Sequence, residues 1–152
     1  MSTPSLAVFI LILLAAAACD LAWRKIPNVL TAVLAVAGLI LAAPHDLAGW
    51  ASRGASFAAI GGTALALYLT RAMGGGDVKL LAAVAIWIPF GGLPVFAYAL
   101  AAAGGLQALG AVAWRRLQPA ANGAQAPLMR IAYGLSIAAA GVAWAMVQGA
   151  QR

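Results

Sequence analysis

Residues 6–22 read LAVFILILLAAAACDLA, an apolar run broken near its end by one aspartate, Asp20. A run of this length falls within the roughly 17–25 residues that carry an α-helix across a bilayer, and nothing in it alternates as a half-buried strand does. Outward from it, the same character returns at Val29 to Ala43, Ala55 to Leu69, Val78 to Ile88, Leu93 to Trp114 and about Leu128 to Val147. Ile26-Pro27-Asn28, Pro44-His45-Asp46, Gly74-Gly75-Gly76 and the stretch Pro89 to Pro94 separate the runs, each with the proline or glycine that interrupts helices. The pattern predicts an all-α, polytopic integral membrane protein of about six transmembrane helices, with residues 1–152 as a single membrane-embedded domain. Runs below about 17 residues need tilt, a polar extension or local bilayer thinning to span.

Composition points the same way. The 152 residues are 65% hydrophobic and 8% charged, against about 25% charged in ordinary soluble domains. The net charge of +6 comes from nine Lys and Arg scattered singly or in pairs; they form no basic stripe, so no nucleic-acid partner is expected. They report topology instead, because cytoplasmic loops carry the excess of positive charge. An N-out, C-out arrangement puts Arg24, Lys25, Arg71, Lys79, Arg115, Arg116 and Arg130 in the cytoplasm and leaves only Arg53 and Arg152 outside. The alanines before Cys19-Asp20 imitate a lipoprotein cleavage site, but the basic pair follows the run where a signal peptide would have it precede. Cys19 is therefore expected as a small thiol packed between helices. Trp23, Trp87, Trp114, Tyr133 and Trp144 are expected as interface anchors or lipid-facing packing.

Two of the three acidic residues carry the chemistry. Asp46, in a loop beside His45 and Pro44, reads as a turn residue or helix cap. Asp20 and Asp77 both fall at the predicted cytoplasmic boundary of an apolar run, where an ionisable group is costly and functional by default. Each has a structural explanation of its own: Arg24 lies at i+4 from Asp20, and Asp77 stands where the N-cap of the fourth helix is expected. Neither explains why the only two acids on that side share one membrane face. Two carboxylates around one water are the minimal apparatus of aspartic proteolysis: one takes a proton from the water while a protonated partner polarises the scissile carbonyl. Helix dipoles favour Asp77, at a helix N-terminus, as the base and Asp20, at a C-terminus, as the acid. Gly74, Gly75 and Gly76 either adopt positive φ and admit another backbone beside Asp77, or serve as a hinge. One His, one Cys and three acids in no ligand-like spacing predict no metal site and no cofactor.

With both stretches in view, the chain resembles the prepilin peptidases, the type IV leader peptidase family of GxGD membrane aspartic proteases. Gly74-Gly75-Gly76-Asp77-Val78-Lys79-Leu80-Leu81 is similar to that family's second catalytic motif, and Asp20-Leu21-Ala22-Trp23-Arg24-Lys25-Ile26-Pro27-Asn28 to its first. The resemblance implies Asp20 and Asp77 as catalytic, with Gly74, Gly75, Gly76, Lys79, Pro27 and Asn28 supporting the motifs or the substrate. Family members often carry a Pro-Tyr-Gly element near the last helix. Here it reads Ala132-Tyr133-Gly134, which weakens a role for that element. The single cysteine is similar to the short, peptidase-only type of tight-adherence (Flp) pilus systems. The implied activity is removal of the basic leader of prepilin or pseudopilin substrates at the cytoplasmic face of the bacterial inner membrane, with the lipid bilayer and pilus assembly machinery as partners. Two other readings stand beside it: a non-catalytic scaffold of a pilus or secretion machine, and a proton-coupled transporter subunit. Neither accounts for the paired Asp motifs.

Overall fold

The computed structural model describes residues 2–117 and 133–150. Six α-helices follow in chain order: α1 (Thr3–Trp23), α2 (Asn28–Leu41), α3 (Leu47–Leu69), α4 (Gly75–Trp87), α5 (Leu93–Leu117) and α6 (Tyr133–Ala150), with a 3-10 turn at Phe90–Gly92 before α5. No strand occurs among the described residues. Residues 118–132, which include the polar connection and the start of the sixth apolar run, lie outside them.

Local chemistry sets the ends. Ser2 caps α1, its side chain accepting the Ser5 N–H, with proline in the first turn. Asp46 does the same for α3 through the Gly49 N–H at 3.1 Å, which satisfies one orphan donor of the first turn. This cap lets α3 start at Leu47, well before the apolar run that marks it in sequence. Both Arg24 and Arg71 take left-handed backbone conformations, φ 53° and 60°, and each ends a helix where glycine is the usual choice.

Three helical segments, Thr3–Trp23, Phe90–Arg116 and Tyr133–Ala150, are long and apolar enough to cross a membrane, and α2 is a shorter apolar helix. The chain is a membrane protein. Its fourth helix is only 13 residues long, about 20 Å at 1.5 Å per residue, yet it occupies the middle of the bundle. It packs against α3, α2 and α6, while α1 packs on α6 and α2, and α5 packs on α6. Leu80, Leu81, Ala83, Val84, Ala85 and Trp87 of α4 are all buried, as expected of a helix apolar all round. The far end of α4 is closed by α3. Arg53 donates to the carbonyls of Ile86 and Trp87 at 2.8 and 3.0 Å, and the Ser52 hydroxyl accepts the Phe90 N–H at 2.8 Å. A cation on the last carbonyls of a helix meets the negative end of its dipole.

Two of the tryptophans depart from expectation. Trp87 and Trp144 are not interface anchors but fully buried, with Phe9 between them at ring-centroid distances of 4.9 and 5.7 Å. Gly38 makes room for Trp87, since a Cβ there would meet the indole nitrogen at 2.7 Å, and that nitrogen donates to the Leu34 carbonyl at 2.8 Å. Gly92 does likewise for Trp144, with a Cβ position 2.6 Å from its indole nitrogen. In helices without a polar face, hydropathy does not tell a lipid-facing ring from a core ring. Trp23 and Trp114 are exposed, as expected.

Candidate active site

The site lies where the end of α1 meets the starts of α4 and α6. Asp20, one turn from the end of α1, is 7% exposed. Its carboxylate accepts the backbone N–H of Gly134, the second residue of α6, at 2.9 Å. The first N–H groups of a helix have no partner within it, so α6 supplies a donor without breaking its own ladder. The approach needs glycine: a Cβ at Gly134 would lie 2.7 Å from the carboxylate oxygen and 2.9 Å from the Asp20 Cβ. Asp20 also accepts the Arg24 N–H on its own carbonyl at 2.9 Å, which closes α1 as the chain turns toward α2.

Asp77 arrives by another route. It is not the N-cap of its helix; Gly74 is, and Asp77 sits inside the first turn with its N–H on the Gly74 carbonyl at 3.1 Å. Its carboxylate folds back toward Gly74, where a Cβ would come within 3.0 Å of a carboxylate oxygen. The three glycines therefore do not use positive φ. Gly74 is extended (φ −74°, ψ 147°), Gly75 and Gly76 are helical, and only at Gly74 would a Cβ crowd the carboxylate. A Cβ on Gly76 would touch Ile26 at 3.7 Å, and one on Gly75 would touch Tyr68 at 3.4 Å. Asp77 is half-buried and lies just before the apolar run that begins at Val78. Burial first, and then the charge on Asp20, push its carboxyl up to about 6, against the lowering effect of a backbone hydrogen bond from Gly74.

The two motif segments, some fifty residues apart, are tied together beside this pair. Ile26 lies against Gly76, and the Lys79 ammonium donates to the Asn28 side-chain oxygen at 3.0 Å. Lys79 is exposed and lies on a different side of α4 from Asp77. Pro27 precedes α2 as its N-cap with extended backbone and makes no side-chain hydrogen bond there. Asp46 is remote in role, a helix cap. Among the described residues no three or more His, Cys, Asp or Glu gather as a metal site would require.

The structure thus brings together Asp20, Asp77, Gly74, Gly76, Asn28 and Lys79, and it adds Gly134, whose role the altered Ala132-Tyr133-Gly134 element had argued against. The signal was present in the Tyr-Gly pair. Its use is a backbone N–H, which is indifferent to the change at position 132.

Two carboxylates, one buried and one half-buried, lie together at one end of a helical membrane bundle. The chain matches the Type IV leader peptidase family over residues 7–109, a stretch that contains both aspartates, and it belongs to that family. It is a peptidase of the prepilin-processing kind. No curated protein and no solved structure shows significant similarity to it.

Proposed function

We propose that the chain is an aspartic endopeptidase that cuts the basic leader from prepilin-type substrates at the cytoplasmic face of the bacterial inner membrane, N-out and C-out, with Asp20 and Asp77 as its catalytic pair. The observation that carries this reading is the approach of two carboxylates from two distant motifs at one end of the bundle, close enough for the charge of one to raise the other. Their settings differ in a way that assigns roles. A backbone N–H can only donate, so the Asp20 oxygen facing Gly134 must accept. Burial, and the charge on Asp20 beside it, make Asp77 the group that holds the proton, which leaves Asp20 to take a proton from water, the reverse of what helix dipoles alone suggest. As the water oxygen attacks the scissile carbonyl, Asp77 donates its proton to the developing oxyanion. The tetrahedral diol then collapses: one hydroxyl returns its proton to Asp77 as the C=O re-forms, the C–N bond breaks, and the amine leaves with the proton gained by Asp20.

Asp20→Asn and Asp77→Asn keep shape and remove the titratable carboxyl, so each abolishes leader cleavage while the protein still inserts in membranes. The double variant is hardly worse than either single one, because the pair acts as a unit on one water. Normal processing of a basic-leader substrate by either variant, at matched protein level in detergent, ends this reading. Cytoplasm-specific reporters placed in residues 118–127 are active and those at the C-terminus silent; the opposite result removes the site from the cytoplasmic face.

A further inference from the structure

Helix α3 packs chiefly on α4, and α5 chiefly on α6. Between α3 and α5 this leaves an open groove of about 300 Å³, floored by α4 and walled by Thr63, Leu67, Met73, Phe96 and Ala97 among others. Leu81 forms part of the floor. It lies at i+4 from Asp77, so it sits on the same stripe of α4, about 6 Å deeper along the axis. Met73, at the site end of the groove, immediately precedes the glycines.

A second groove runs along the other side of α3, toward α2. It is lined by Asn28, Ala32, Phe57, Lys79, Ala83 and Ile86. The two grooves are equally apolar in depth and differ at the top: the first leads up the stripe of Asp77, the second up that of Lys79. A segment made of a basic leader followed by an apolar helix is drawn to the groove that leads to the carboxylate pair, where Asp20 carries the negative charge, and repelled by the cation-topped one.

We propose that the groove between α3 and α5 receives the hydrophobic helix of the prepilin-type substrate, entering sideways from the lipid, so that the chain just before that helix comes to Asp77. The proposal rests on the leader-peptidase reading above. Occupancy fixes the register of cleavage: a helix seated over Leu81 presents its polar end one turn higher, at the carboxylates. Thr63 and Ala97, small residues on facing walls, let a helix approach closely.

The test compares two substrates of one enzyme in lipid nanodiscs. One is a prepilin-type protein with a lysine-containing leader, a terminal leader glycine and about 20 apolar residues after it; the other is the same leader cut off six residues past the glycine. Thr63→Trp fills the groove and is expected to lower the ratio of kcat/KM for the long substrate to that for the short one at least tenfold, through KM. Ala32→Trp, in the other groove, leaves the ratio unchanged. Where Thr63→Trp fails to fold, Thr63→Cys in a Cys19→Ser, Asp77→Asn background is expected to cross-link to a cysteine in the apolar helix of the long substrate. An unchanged ratio with Thr63→Trp means the groove holds only lipid and overturns the proposal, as does cross-linking from Ala32→Cys in place of Thr63→Cys. If the unmodified enzyme cleaves neither substrate, the leader-peptidase reading itself has failed, and the groove's occupant with it.

Discussion

Asp20 and Asp77 reach the same site by opposite means. Asp20 belongs to the long helix α1, is almost wholly buried, and is fixed by a group from the far end of the chain, the Gly134 N–H. Asp77 stands in the first turn of the short helix α4, half-buried, its carboxylate folded back over its own neighbour Gly74, which has no side chain to meet it. One carboxylate is held by tertiary structure and the other by local sequence. Under the proposed mechanism the difference separates their duties: the buried carboxylate with a fixed donor takes the proton, and the half-buried carboxyl beside a negative charge keeps its own.

The comparison can be broken most forcefully at its tertiary half. Gly134→Ala drives a Cβ into the Asp20 carboxylate, and kcat is expected to fall by about two orders of magnitude, the scale on which roughly 1 Å of misplacement acts. Gly104→Ala on α5, where a Cβ meets only the Ser136 hydroxyl at 3.9 Å, is the matched control and stays near wild type. Equal activity of the two alanine variants would show that Asp20 needs no fixed partner.

A smaller effect is expected where the two motif segments are tied together. Lys79→Ala and Asn28→Ala each remove the 3.0 Å hydrogen bond between them, and each lowers activity a few-fold. The pair Lys79→Ala, Asn28→Ala does no more than either alone, since one bond joins them. Additive losses in a double-mutant cycle would show that the two side chains act separately.

Stability sharpens the local half. The Asp77 carboxyl is raised in the fold to about 6 from 3.8, so the folded state binds that proton more tightly than the unfolded chain does. Stability then falls as pH rises from about 4 to about 6, and the loss is complete above that range. Asp77→Asn escapes it: its Tm in detergent is above wild type at pH 8, and the gap closes toward pH 4. A gap independent of pH would mean that the carboxyl is not raised. The least effect belongs to Asp46→Asn, which keeps an oxygen for the Gly49 N–H and is expected to leave both cleavage rate and Tm unchanged.

Much of this was legible in the residues. Unbroken apolar runs and their proline and glycine breaks announced the helices, because a bilayer demands length and an internally satisfied backbone. The start of α3 was missed by two turns: its first residues are mixed in polarity, and the helix is initiated by the Asp46 cap where no apolar run begins. Asp20 and Asp77 stood out because a carboxylate beside a bilayer is costly.

What the sequence by itself determined was the class of molecule, an all-helical membrane protein, and the two acids that stand out in it, since hydrophobic length and charge are properties of single segments. Tertiary structure alone decided that α4 would lie at the centre, that Trp87 and Trp144 would turn inward onto Phe9, and that the start of α6 would supply the donor for Asp20. Each of these depends on which faces of six nearly uniform apolar helices meet. Hydropathy does not distinguish those faces; the absence of a Cβ at Gly38, Gly92 and Gly134 does, and its consequence exists only once the neighbouring helix is in place.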